Sequence, residues 1–187
     1  MDRITATVVL KWGRERPIQN RHPWIFSGAI GRIDGEVADG DLVHVADHQG
    51  HYLATGYLNR RSQIMIRLLT WDASERIDSG FWQRRLKRAV AARGSLASDP
   101  ATDAYRLVHA EADGLPGLIV DSYGGWLVVQ CLTLGMARHQ DQIAAILAEQ
   151  LSPDGIYARD DAHVRRKEGL PLENGLLWGK EPPDRAE

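Results

Sequence analysis

Residues 41–70, DLVHVADHQGHYLATGYLNRRSQIMIRLLT, decide the fold of the first third of the chain. Residues 41–47 alternate, with Val43 and Val45 on one face and Leu42 apart from them. His48-Gln49-Gly50 forms a turn and residues 51–57 run back, so the pair reads as a hairpin. Residues 62–70 put Ile64, Ile66 and Leu68 on one face and Met65, Arg67 and Leu69 on the other. Upstream, Thr7-Val8-Val9-Leu10 is a further short apolar run. Gly28, Gly31, Gly35, Gly40, Gly50 and Gly56 punctuate the segment, which predicts a small, tightly curved barrel or sandwich.

Inside that region, residues 11–30 (KWGRERPIQNRHPWIFSGAI) carry Lys11, Arg14, Arg16 and Arg21, with Arg32 just beyond. These cations surround an apolar plug, Pro23-Trp24-Ile25-Phe26. Point charges and guanidinium forks on an anchored loop suit a phosphate backbone, because they displace its counterions. A solvated basic loop beside an ordinary hydrophobic anchor is the alternative.

The period changes at residue 78. Over 78–93, Trp82, Leu86, Ala89 and Val90 are spaced for one helical face. Asp78 or Ser79 is the expected N-cap and Gly94 the expected C-cap. The opposite face holds Arg84, Arg85, Lys87 and Arg88, a solvated charge run or a nucleic-acid contact. Residues 95–104 (SLASDPATDA) read as a linker or surface loop. Beyond them, strands are expected over 105–110, 118–121, 126–133, 156–159 and 176–178, with a helix over 135–151. The expected class is mixed β and α+β: a small β-barrel over 1–74, a connecting basic helix over 75–94, and a strand-strand-helix-strand-strand domain over 95–187.

Hydrophobic residues at 43% and charged ones at 26% match an ordinary globular protein and argue against a disordered chain. The net charge of −2 hides an asymmetry: residues 1–95 carry +5 and residues 96–187 carry −7. That division predicts a polyanionic partner on the amino-terminal side. One cysteine, Cys131, forms neither an internal disulfide nor a four-thiolate zinc site. The start lacks a signal-peptide core and no window is long and apolar enough for a membrane span, so the chain reads as cytoplasmic and free of the membrane.

Catalytic, cofactor-binding and metal-ligating residues are all read as none. No glycine-rich phosphate loop follows a strand. His44, His48 and His51 share the hairpin but lack a fourth ligand, and read as surface residues. Glu111 and Asp113 have acid–base spacing, yet turn formation accounts for Asp113 more simply. Cys131 lies among Val128, Val129, Leu132 and Leu134 and reads as a buried structural thiol. Residues 159–170 mix charges densely and read as a self-neutralising surface network rather than a docking face.

Four blocks then occur in order: residues 21–28 (RHPWIFSG), residues 62–64 (SQI) with 67–69 (RLL), residues 105–121 (YRLVHAEADGLPGLIVD), and residues 164–166 (VRR) with 168–170 (EGL). Together they resemble the ribosomal RNA large-subunit methyltransferase I family. The resemblance implies an amino-terminal PUA domain that binds RNA, a central strand-strand-helix-strand-strand domain, and a carboxy-terminal Rossmann-like domain. That last domain binds S-adenosylmethionine and methylates cytosine at carbon 5 through a cysteine nucleophile. The sequence stops after residues 175–182 (GLLWGKEP), where the family continues into the cofactor domain.

The reading is therefore a truncated relative: the RNA-binding, targeting portion of a class I 23S rRNA (cytosine-5) methyltransferase, inactive alone and holding no S-adenosylmethionine itself. Its partners would be large-subunit rRNA and the missing methyltransferase domain. Lys11, Arg14, Arg16, Arg21, His22, Arg60 and Arg61 are the expected RNA contacts, with Trp24 anchoring the loop rather than stacking on a base. The alternative is a structural or interaction module that docks a separate catalytic domain or self-associates as a homodimer.

Overall fold

A computed structural model describes residues 4–183. The chain divides into two compact units, Met1–Arg76 and Ile77–Glu187. The first contains β1 (Thr7–Leu10), α1 (Arg16–Gln19), β2 (Trp24–Phe26), β3 (Ile30–Asp34), β4 (Leu42–Ala46), β5 (Tyr52–Leu58) and β6 (Ile64–Thr70). They form one sheet in the order β2-β6-β5-β4-β1-β3, antiparallel except for β1 beside β4.

The hairpin read from residues 41–57 is β4–β5, with Val43 opposite Gly56 and Val45 opposite Ala54. Asp47 shapes its turn by accepting the N–H groups of Gln49 and His51 at 2.8 and 2.9 Å. Val8, Leu10, Ile18, Ile25, Val43, Val45, Ala54, Leu58, Ile66 and Leu68 make the core. Gly56 lies where β5 and β6 shift register, and a Cβ there would stand 2.2 Å from the carbonyl oxygen of Arg67. Only a residue without a side chain allows that approach.

In the second unit are α2 (Ser79–Ala91), α3 (Gly94–Ala97), β7 (Ala104–His109), β8 (Leu118–Tyr123), β9 (Trp126–Cys131), α4 (Leu134–Arg138), α5 (Gln140–Leu151), β10 (Gly155–Asp160), α6 (Val164–Lys167) and β11 (Glu173–Gly179). Its sheet runs β11-β10-β9-β8-β7, antiparallel except for the β9–β10 pair joined across α4 and α5. The mixed β and α+β class holds. The sheet has five strands, one more than the strand-strand-helix-strand-strand label, because β7 pairs along β8.

Four local expectations are corrected. The basic helix expected as a connector over 75–94 lies inside the second unit, where α2 packs on α5 and β7. Asp78 caps α2 as expected, accepting the Phe81 N–H at 3.1 Å, but Gly94 opens α3 instead of closing α2. The helix expected over 135–151 breaks at His139, whose Nδ1–H donates to the Gly135 carbonyl at 2.8 Å while its ring packs 4.7 Å from Trp82.

The network expected on the surface over 159–170 is partly interior: Asp160, Arg165 and Glu168 are buried. Asp160 accepts the Cys131 N–H at 2.7 Å, Gln140 Nε2 at 2.8 Å and Arg165 Nη1 at 2.9 Å, while Arg165 also donates to the carbonyls of Cys131 and Pro171. Asp160 and Arg165 thereby meet partners, which is the condition for burying a charge at all.

Candidate nucleic-acid interface

The seven residues expected to contact RNA all lie in the first unit, and all are exposed. Residues 27–29, which join β2 to β3, bond on one side to the end of β1 and on the other to the start of β6. The Lys11 N–H donates to Ala29 O at 2.9 Å, Lys11 Nζ to Gly28 O at 3.0 Å, and the Ser27 N–H to Gln63 O at 3.1 Å. Through that segment the end of β1, the end of β2 and the start of β6 are linked as a rim, with Lys11 and Arg14 in the turn on one side of it and Arg61 just before β6 on the other. No carboxylate pairs with Arg14, Arg16 or Arg61 among the described residues.

The other expected contacts are engaged or placed elsewhere. Arg60 gives its charge to Asp39 at 2.9 Å and a further bond to Val37 O at 3.1 Å. Arg16 opens α1. Arg21 and His22 precede β2, at the far end of β6. The Arg21 guanidinium lies 5.4 Å from the centre of the Trp71 ring, and Trp71 Nε1–H donates to Ile18 O at 2.8 Å. Seven strand residues, about 20 Å, separate that end of β6 from its start, where Arg61 lies. The structure therefore places Lys11, Arg14 and Arg61 on the segments linked by residues 27–29, and Arg21 and His22 at the end of β6 opposite Arg61.

The apolar plug is also corrected. Ile25 alone enters the core, whereas Phe26 is 50% exposed and Trp24 half-buried. Strand alternation is the cause: β2 turns Ile25 inward and its neighbours outward. His22, Trp24 and Phe26 form an edge-to-face series with centroids 5.7 and 6.4 Å apart, and the Arg67 guanidinium lies 5.8 Å from the Trp24 ring. Trp12, 80% exposed in the turn between Lys11 and Arg14, belongs to no periodic pattern and is absent from the expected contacts. Its one signal in the sequence is an aromatic residue between two cations and beside a glycine.

The charge division also moves once the units are known. Met1–Arg76 holds ten basic and nine acidic residues, so the first unit is close to neutral. The surplus read over 1–95 comes from Arg84, Arg85, Lys87, Arg88 and Arg93, which belong to the second unit. Part of that face is structural. Arg85 sits 4.8 Å over the Phe81 ring, and Arg93 grips both oxygens of Asp113 at 2.6 and 2.9 Å. Asp113 also accepts the His109 N–H at 2.6 Å, the turn-shaping role expected of it.

Of the hairpin histidines, His44 pairs with Thr55 Oγ1 at 3.0 Å and His51 with Asp47 at 3.0 Å. Burial lowers the His44 pKa. No three His, Cys, Asp or Glu side chains among the described residues could hold a metal. Burial, foremost, and the nearby Asp160 push the Cys131 thiol far up, so it stays protonated. Asp160 is itself raised, first by its own burial. No helix among the described residues is long and apolar enough to cross a membrane.

Comparison with known proteins bears on the same region. Residues 8–71 match a PUA-like domain. The ribosomal RNA large subunit methyltransferase I of Shigella flexneri is 43% identical over 181 residues, 96% of this chain and 46% of that protein. The Klebsiella pneumoniae protein of the same name is 43% identical over 183 residues, 97% of this chain and 46% of its own length. The chain thus spans about half the length of the curated relatives it matches. In three dimensions it resembles a candidate SAM-dependent methyltransferase from Streptococcus mutans, with a TM-score of 0.78 at 18% identity over 95% of this chain and 44% of that one. A candidate methyltransferase complexed with SAH matches equally well, with a TM-score of 0.78 at 18% identity.

Proposed function

We propose, from the premise that the chain belongs along 96% of its length to the ribosomal RNA large subunit methyltransferase I family, that it is the RNA-binding, targeting portion of a 23S rRNA (cytosine-5) methyltransferase acting in the cytoplasm. The observation that carries this reading is the rim of Lys11, Arg14 and Arg61 on a unit that matches a PUA-like domain. Guanidinium groups with no carboxylate partner meet phosphates without first giving up an ion pair. Arg16 and Arg21 would extend the interface along the unit, while Arg60, held by Asp39, contributes less.

S-adenosylmethionine would supply the methyl group in such an enzyme, and the reading places its binding outside these residues. The strand-to-helix turns here do not fit it. Where β9 enters α4, a helix of five residues, the Leu134 N–H already faces Glu168 Oε2 at 3.5 Å, so the chain's own buried carboxylate occupies that helix N-terminus. Beyond β10, α6 has four residues and turns the Arg165 side chain into the interior. No step of methyl transfer is assigned to this chain.

Fluorescence anisotropy with a large-subunit rRNA fragment, repeated across a salt series, tests the reading. Binding with a steep salt dependence is expected. The Arg14→Glu/Arg61→Glu pair should flatten the slope of log K against log salt by about 0.7 for each phosphate left unneutralised. Parent-like binding by that variant would remove the rim from the interface.

A second reading has its own observation: Leu176 and Trp178 on the edge strand β11 are 39% and 42% exposed. They favour a module that docks a separate catalytic domain or a second copy. Light scattering that shows a strict monomer at high concentration would dismiss the homodimer.

A further inference from the structure

The turn at residues 11–14 holds an indole in water. Trp12 is 80% exposed and makes no hydrogen bond, ion pair or ring contact among the described residues. A large apolar side chain left this open is informative, because packing does not account for it. Nor does the backbone, since the second position of a tight turn accepts most residues and Gly13, at φ +76°, takes the left-handed third. The residues that flank the ring are cationic, Lys11 and Arg14. Phe26 offers a second open ring, 50% exposed and set edge-on to Trp24 at 6.4 Å. Lys11 ties the two together through its bonds to Gly28 and Ala29, which follow closely on Phe26.

We propose that Trp12, with Phe26 as a second platform, stacks on unpaired bases of single-stranded RNA while Lys11, Arg14 and Arg61 hold the intervening phosphates. The proposal rests on the RNA-binding reading above. Aromatic faces interleaved with cations are what a single strand requires: every base has a π face, and the cations follow the backbone. In a duplex those faces are already stacked, so the rim favours single strands over double ones. The charge around the ring decides between occupants. A protein partner would need a contiguous apolar patch, and Trp12 is bordered by Lys11, Gly13 and Arg14.

The test titrates labelled oligouridine, and an RNA duplex of equal length, with the full chain and with Trp12→Ala, Trp12→Phe and Arg14→Glu/Arg61→Glu. Trp12→Ala should bind the single strand about tenfold more weakly. Its salt slope should not change, because stacking releases no counterions. Trp12→Phe should restore most of that affinity, duplex binding should not move, and the thermal midpoint of Trp12→Ala should equal the parent's. Parent-like affinity of Trp12→Ala for oligouridine overturns the proposal. If the charge-reversal pair still weakens binding in that case, stacking alone fails and the RNA reading stands. If the parent binds no RNA even at low salt, both fail. Loss of self-association in Trp12→Ala, with RNA binding intact, would make Trp12 a protein contact and also overturn the proposal.

Discussion

Two neighbours, Ile25 and Phe26, separate packing from exposure most sharply. Ile25 is buried to 1% in the core of the first unit, while Phe26 is half open to water. Ile25→Ala should cost about 2–5 kcal/mol in urea unfolding. Phe26→Ala should cost clearly less, and equal costs would refute the alternation seen in β2. That alternation is legible in residues 24–26, but a run of four apolar residues disguises it as one plug. Trp12 is not legible in the same way, since a lone turn residue has no periodic neighbours from which its exposure could be inferred. His44 carries a pH prediction. Burial lowers its folded-state pKa below the unfolded value of about 6.5, so the folded state binds the proton less well. Stability should be full above that value and fall as pH drops through it. The urea midpoint of the parent should therefore fall between pH 7 and pH 5 by more than that of His44→Gln.

Among the elements, α2 shows how far local signals reach. Its N-cap is readable because Asp78 acts within three residues, accepting the Phe81 N–H. Asp78→Ala should cost about 1 kcal/mol, read as a lower denaturant midpoint with an unchanged slope. Its end is not, because Gly94 is a permissive residue rather than an instruction. The chain uses that freedom to begin α3. The break at His139 lies beyond a periodicity argument altogether. It is fixed by a side-chain bond to Gly135 and by the ring of Trp82, a residue distant in the chain. β4, β5 and β6 are the most legible elements, since their faces and the turn at 48–50 announce one another.

At the scale of the whole molecule, the +5 and −7 halves show how a charge argument depends on where the chain is cut. Moving the division from residue 95 to Arg76 leaves the first unit nearly neutral, so its case for RNA rests on local geometry at the rim. The buried group of Asp160, Arg165 and Glu168 is likewise hidden in the sequence, because a mixed-sign run looks alike in water and in a core. The first unit has its own core, so residues 1–76 expressed alone should unfold cooperatively and keep the RNA salt slope of the full chain. Non-cooperative unfolding in calorimetry would show that the fragment needs the rest. The parallel neighbours β9 and β10 carry a consequence for assembly. β7, β8 and β9 follow one another as a meander and can zip together on the microsecond scale of hairpins. β10 can join only after the crossover through α4 and α5 has closed a much longer loop. On the ribosome, a nascent chain that has just emerged past residue 131 therefore presents the bare edge of β9. Until residues 155–160 arrive to cover it, that edge is the part of the protein most open to pairing with the wrong strand.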